Sequence, residues 1–362
     1  MREKTKKILY LLLFFISLYL FLASINLLGD GLKLLGNNFI KNLIALTANP
    51  FLGLIIGIFA TAIIQSSSAT TSITVSLVAS NIISISNAIP IIMGANIGTT
   101  VTNTLVSLIH VTRKSEFQRA FPAAIVHDFF NILTILIVFP LELKYQILQR
   151  VSHLLSTIFC SFGGAHIANP LKYIITPLSN QILKITSQLN WLVVIFALLL
   201  LFFSLKFLVD SMKALSSRRL ELIIDHYLFG SSFAAFLIGL ITTALIQSSS
   251  VTTSLIIPLI GAGILSLDKG FPYMVGANIG TTITALLAAL ATASPLAIQI
   301  AFAHFGFNFI GSCIFLPLKI IPIKLALFFG NHASKNRFLA ISYIVILFYL
   351  LPIIIFITTK LK

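Results

Sequence analysis

The chain has 362 residues, 58% of them hydrophobic and only 9% charged, with a formal net charge of +15. No soluble domain of that length is composed this way; the composition is that of a polytopic membrane protein. The positive charge does not indicate nucleic acid, because it falls in short clusters between apolar stretches, where lysine and arginine hold loops on the cytoplasmic side.

A basic start (Arg2, Lys4, Lys6, Lys7) runs into an uncharged stretch from Ile8 to Leu28. That stretch is longer than a signal core and lacks a small-x-small cleavage site before Gly29-Asp30-Gly31, so it predicts a retained helix over 8–28. Two shorter apolar segments follow, 51–64 and 69–83, joined through Gln65-Ser66-Ser67-Ser68. Neither reaches the ~20 residues needed to cross a bilayer. The pair reads as a re-entrant hairpin over 51–83, whose irregular backbone needs cover from protein or a watery cavity. Crossing helices are predicted at 88–109 and 120–141, with Arg113, Lys114 and Arg119 in the loop between them. A sparsely basic connector, 144–188, contains Cys160. Beyond it come a helix at 189–209, a second short pair (233–246 and 251–265) forming a hairpin over 233–265, and helices at 271–291 and 296–318. A basic loop at 319–337 leads to a last helix at 338–358. Cys160 and Cys313 make neither a disulfide framework nor a metal spacing.

The two stretches around the short pairs are copies. Gln65 to Ser72 (QSSSATTS) returns as Gln247 to Ser254 (QSSSVTTS), and Gly94 to Thr100 (GANIGTT) returns unchanged as Gly276 to Thr282, both 182 residues on. Leu28, Asp30 and Lys33 match Leu208, Asp210 and Lys213 at 180, and His127, Asn131 and Pro140 match His304, Asn308 and Pro317 at 177. Each copy contains three crossings. Three is odd, so the second copy is expected upside down relative to the first, an inverted-topology repeat. The expected fold is an all-α integral membrane protein with two such repeats, 1–143 and 189–318. Each has a re-entrant hairpin and an interrupted helix, and 319–362 adds a cytoplasmic loop and a final transmembrane helix as support. With the N-terminus cytoplasmic, the basic loops at 110–119, 211–226 and 319–337 all fall inside the plasma (inner) membrane and the connector falls outside.

At membrane depth an unpartnered hydroxyl or backbone group is costly, so the Gln-Ser-Ser-Ser breaks need partners. Serines there can cap the helix that follows, whose free N–H groups and positive dipole end suit an anion. Gln65 and Gln247 add carbonyl oxygens for a hard cation, and the threonines of the Gly-Ala-Asn-Ile-Gly-Thr-Thr boxes add more. The boxes hold no lysine, arginine or carboxylate, so a multivalent anion there depends on dipoles, hydroxyls and co-bound cations, which couples the two solutes. Small polar residues also serve as ordinary packing between membrane helices; the joint duplication of two boxes favours a shared site between halves. His127-Asp128 is an intramembrane ionisable pair, readable as functional or as a satisfied structural pair. Asp30 and Asp210 lie toward helix ends and read as interfacial, and Trp191 reads as an interface anchor. No nucleophile elbow or local histidine base accompanies the serines, which argues against an enzyme.

These stretches closely resemble the type II sodium–phosphate cotransporters and their bacterial relatives. They are Gln65–Ser72, Ile89–Asn103 (IPIIMGANIGTTVTN), Val126–Asn131 (VHDFFN), Gln247–Gly263, Gly276–Leu290 and Gln299–Asn308. The resemblance covers roughly 50–143 and 230–318. It implies sodium-coupled import of inorganic phosphate by alternating access, with Na+ as coupling ion and no cofactor. Ser66, Ser67, Ser68, Ser248, Ser249 and Ser250 would hold phosphate. Gln65, Gln247, Ser248, Thr281 and Thr284 would be the sodium ligands, with Asn96, Asn278 and Thr99 as further ones. The chain departs from animal members in having one cysteine in its connector and a strongly basic 111–119 loop, and from many bacterial ones in showing no soluble C-terminal regulatory domain, so a regulator is expected to be a separate cytoplasmic protein. Oligomeric state stays open. So do a carrier of another oxyanion, a proton-driven symporter and a membrane phosphate sensor that does not transport.

Overall fold

The computed structural model describes residues 2–186, 190–215 and 231–360, and these contain helices and turns but no strands. Seven helical stretches are long and apolar enough to cross a membrane: Thr5–Leu34, Ile85–His110, Lys114–Tyr145, Asn190–Ser211, Leu267–Thr292, Pro295–Phe315 and Arg337–Thr359. They coincide with the seven expected spans. An eighth arises if the pair Asn38–Ala48 and Pro50–Ile64, bent by 102°, counts as one.

In chain order the first half is α1 (Arg2–Leu34), α2 (Asn37–Ala48), α3 (Pro50–Ile64), α4 (Ser67–Ala79), α5 (Ile85–Gly98), α6 (Val101–Ser107) and α7 (Lys114–Tyr145). Next come α8 (Ile147–Phe159), α9 (Ala165–Thr186) and α10 (Asn190–Leu215). The second half continues with α11 (Ser232–Ile246), α12 (Ser249–Gly261), α13 (Leu267–Gly280), α14 (Thr282–Thr292) and α15 (Pro295–Phe315). The chain ends with α16 (Ile320–Lys335), α17 (Arg337–Val345), a π turn and α18 (Leu351–Lys360).

The short apolar segments are helices of 15 and 13 residues in both copies. At ~1.5 Å per residue they reach roughly 22 and 20 Å, short of a ~30 Å hydrocarbon core. Local chemistry sets their ends. Asn49 accepts from the N–H groups of Phe51 and Leu52 with Pro50 at the first helical position, and Ser231 accepts from Ala234 N–H. Each first leg stops where a glutamine turns left-handed, Gln65 at φ 55 and Gln247 at φ 61. Each N–H closes the last turn at 2.7 Å, onto Thr61 and Thr243. Serine then opens the second leg, Ser66 Oγ accepting from Ala69 N–H at 3.2 Å and Ser248 Oγ from Val251 N–H at 3.4 Å.

The first legs are fastened to the following helix backbone to backbone. A Cβ at Gly57 would collide with the Ile91 carbonyl, and one at Gly94 with the Leu54 carbonyl. The copies repeat this: Gly239 meets the Tyr273 carbonyl and Gly276 the Phe236 carbonyl. The second legs reach across instead. Helix α4 packs on α14 and α15, while α12 packs on α6 and α7. Each of the two apolar cores therefore draws on both halves of the chain, one combining Ile55, Val75 and Ile92 with Ala288 and Ile300, the other Phe121 and Ile125 with Ile256 and Phe271.

Three expectations change. The 319–337 stretch, read as a loop, is helix α16, seated on α7 with Gly330 against Pro122. The connector carries α8 and α9, with α8 packed on α15. Both α8 and α16 are shorter than a span and carry charges, so an apolar-length reading passes over them. The last helix is more than a support: Tyr349 Oη donates to the Ala62 carbonyl at 3.4 Å and Tyr343 Oη to Asp128 Oδ2 at 2.7 Å. Arg218 and Arg219, expected in a cytoplasmic loop, lie outside the described residues.

Candidate functional site

The two breaks meet. Ser68 Oγ lies 3.5 Å from the Gln247 carbonyl. A cavity of about 290 Å³ opens beside this contact, with Gln65, Ser66 and Ser68 on one wall, Gln247 and Ser248 on another, and α10 as the third. Ser67, Ser249 and Ser250 continue the first turns of α4 and α12; Ser67 and Ser249 are buried and Ser250 half-buried. The first intrahelical acceptors are Ser66 O for Thr70 N–H and Ser248 O for Thr252 N–H. Up to those points the N–H groups of each second leg have no helical partner, and only one of them in each leg is capped by serine. Two such helix starts at one cavity form an anion seat made of dipoles and hydroxyls.

The glutamines differ. Gln247 is buried: its Oε1 accepts from Thr284 Oγ1 at 2.8 Å and its Nε2 donates to the Ala244 carbonyl. Gln65 is exposed, and no hydrogen bond engages its side chain among the described residues. Around the interruptions α5/α6 and α13/α14, the matched hydroxyls of Thr99 and Thr281 are both buried without a partner, as is that of Thr102, the copy-mate of Thr284. Unpartnered buried oxygens are costly to keep, and they are the donor type that a hard cation such as sodium takes.

Asn96 and Asn278 belong to a different constellation. His127 Nε2 donates to Asn278 Oδ1 at 2.8 Å, and His304 Nε2 to Asn96 Oδ1 at 3.3 Å. Asn131 Nδ2 donates to the Asn96 carbonyl at 2.8 Å, and Asn308 Nδ2 to the Asn278 carbonyl at 3.1 Å. Asn278 Nδ2 donates to Asn131 Oδ1 at 2.8 Å, linking the two halves in one network. Asn103 extends it, donating to His127 Nδ1 at 3.4 Å and accepting from Thr253 at 2.9 Å. The amide oxygens of Asn96 and Asn278 are thus engaged by histidine in this conformation. Asn103, Asn131 and Asn308 were not among the candidate ligands; the 177-residue match of His127/Asn131 with His304/Asn308 was the signal that could have found two of them. Asp128 is wholly buried, with Oδ2 accepting from Tyr343 Oη and with the Thr100 and Thr104 hydroxyls beside its carboxylate. Among the described residues, no three His, Cys, Asp or Glu side chains gather as a metal site.

Two residues outside the polar boxes add to this site. Asp210, near the end of its span, lines the two-break cavity. The cavity also has a fixed cation, because Lys206 of α10 lines it too. The polar boxes contain no charge; a helix distant from them in sequence brings it.

A family model described as Na+/Pi-cotransporter matches residues 20–164 and 200–353. The chain is 32% identical to sodium-dependent phosphate transport protein 2B of Pongo abelii and of Homo sapiens, over 94% of this chain and 64% of each relative. It is also 32% identical to sodium-dependent phosphate transport protein 2A of Mus musculus, over 94% of this chain and 66% of that one. The chain therefore spans just under two thirds of the length of these relatives. No solved structure matches it. Two family segments, each containing one break and one interrupted helix, converge here on a single cavity: the chain belongs to the Na+/Pi-cotransporter family.

Proposed function

We propose that this protein is a sodium-coupled carrier that imports inorganic phosphate across the plasma membrane by alternating access. The observation that carries the reading is the meeting of the two Gln-Ser-Ser-Ser breaks at one cavity, through Ser68 and Gln247. Phosphate sits on Ser66–Ser68 and Ser248–Ser250, taking hydroxyls and the free N–H groups of α4 and α12. Sodium is held by oxygens of Gln65, Gln247, Ser248, Thr281 and Thr284, with Thr99 in the first half. The orphaned hydroxyls of Thr99 and Thr281 support this set. Asn96 and Asn278 join it only where they release His304 and His127. Cation and anion each lower the other's electrostatic cost in a low-dielectric cavity, which couples their binding.

The two repeats run in opposite senses, and the short legs α3/α4 and α11/α12 are re-entrant hairpins rather than crossings. Their crossed packing supports this, since each second leg is received by the other half. The N-terminus faces the cytoplasm and α8–α9 the outside.

The test is labelled phosphate uptake into proteoliposomes under an inward sodium gradient, with potassium as control. Accumulation above equilibrium with sodium alone establishes carrier and driving ion together. Accumulation driven by a proton gradient, or of another oxyanion instead, replaces the solute or the ion. Phosphate binding with no movement under any gradient makes the protein a sensor.

A further inference from the structure

We propose that Lys206 is an anion-binding residue of the two-break cavity, meeting phosphate through its ammonium group. The inference rests on the reading of this cavity as the phosphate site. Of the seven candidate spans, Asn190–Ser211 has the highest mean hydropathy, 2.9. Lys206 and Asp210 are the only Asp, Glu, Lys or Arg residues in it. A charge within such a span is costly and calls for a partner or a wet cavity. A lysine near the end of a span ordinarily snorkels toward the headgroups. Lys206 has another destination: it lines the same cavity as Gln65, Ser66, Gln247 and Ser248, and no ion pair or hydrogen bond engages it among the described residues.

Duplication does not account for the lysine. Asp210 matches Asp30 at an offset of 180, and at that offset the residue matching Lys206 is Asn26, which donates to the Ala291 carbonyl at 3.2 Å. Asn26 and Asp30 line a separate, smaller cavity of about 140 Å³ away from both breaks. That cavity has a lysine of its own, Lys33, but Lys33 is paired with Asp30 at 3.9 Å; Lys206 lies instead where the two helix starts converge.

The chemistry is complementary. Serine hydroxyls and peptide N–H groups orient a tetrahedral oxyanion but carry no net charge. An ammonium group supplies a full charge and three rotatable donors on a flexible stem. Asp210 lies one helical turn on, on the same face of α10. Lys206 is thus free to meet a multivalent oxyanion, and Asp210 in the same lining suits the co-bound cation.

The test uses the full chain in proteoliposomes and reads phosphate KM separately from maximal rate and from sodium dependence at saturating phosphate. In Lys206→Gln, the phosphate KM is expected to rise about 10- to 100-fold, as for loss of a charged hydrogen-bond donor, with the sodium dependence kept. Lys206→Arg is expected to recover most of the affinity. An unchanged phosphate KM in Lys206→Gln overturns the assignment. Should that variant fail to reach the membrane, amine acylation of the wild-type protein decides, read residue by residue by mass spectrometry. Phosphate with sodium is expected to protect Lys206 and not Lys33; equal labelling with and without phosphate overturns the proposal. Wild-type uptake with Lys206 unprotected defeats this inference alone, whereas a wild-type protein that neither binds nor moves phosphate defeats the reading of the cavity and this inference with it.

Discussion

The break at Gln65 and the break at Gln247 share a backbone and differ in their neighbours. Their left-handed glutamines lie at φ 55 and 61, and the serines that follow both lie at φ −148. Yet Gln247 is buried and tied to Thr284, while Gln65 is exposed and its counterpart Thr102 has no partner. A left-handed non-glycine residue costs of order 1–3 kcal/mol, so both halves keep the strained turn and only one satisfies the side chain within it. The contrast teaches that duplication copied the scaffold and left the occupancy of each polar group to the surroundings. The proposed carrier would use such an arrangement: matched parts holding unequal contacts that can be exchanged.

The largest expected effects test the shared scaffold. Gly57→Val and Gly239→Val each drive a side chain into a carbonyl of the helix opposite. Each is expected to cost about 3 kcal/mol or more, seen as loss of a monodisperse, thermally stable protein in detergent. If one variant is tolerated and the other not, the scaffolds are not equivalent. Next, Gln247→Ala strands the Thr284 hydroxyl and is expected to cost about 1–3 kcal/mol in thermal unfolding. Gln65→Ala is expected to be nearly neutral in the same assay, while both lose sodium-dependent uptake. Equal destabilisation by the two would erase the asymmetry.

A cysteine pair at 247 and 284 is expected to cross-link faster than one at 65 and 102, and the order is expected to reverse under conditions that favour the opposite-facing state. Rates unmoved by sodium and phosphate would separate the asymmetry from transport. The smallest difference is expected within the asparagine–histidine network. His127→Ala removes the bonds to Asn278 and Asn103, and His304→Ala only the longer one to Asn96. The first should lower stability by about 1 kcal/mol more than the second.

The sequence made the spans and breaks legible for local reasons. Apolar length marks a crossing wherever it occurs, and Gln-Ser-Ser-Ser announces a stop and a cap in the same four letters. The pairing of the two breaks was legible through their common offset. What stayed hidden depends on which helix lies beside which. Lys206 belongs to α10, and its position at the cavity follows only from the packing of that helix. Tyr343 reaches Asp128 from 215 residues away. His127 meets Asn278 rather than its own half's Asn96, a crossing between repeats that offsets within the chain do not encode.

The glycine contacts bear on how such a molecule can move. Where backbone touches backbone at Gly57 and Gly94, and again at Gly239 and Gly276, the surfaces interlock like teeth. Helix α3 cannot creep along α5, nor α11 along α13, by a fraction of a turn, because the neighbouring positions carry side chains too large for the notch. Slippage would come only in jumps of roughly a helical pitch, ~5.4 Å. Each first leg and the helix it grips therefore form one interlocked unit, whereas the second legs, α4 and α12, meet the opposite half. The serine-capped helix starts lie where these two units meet, at the cavity.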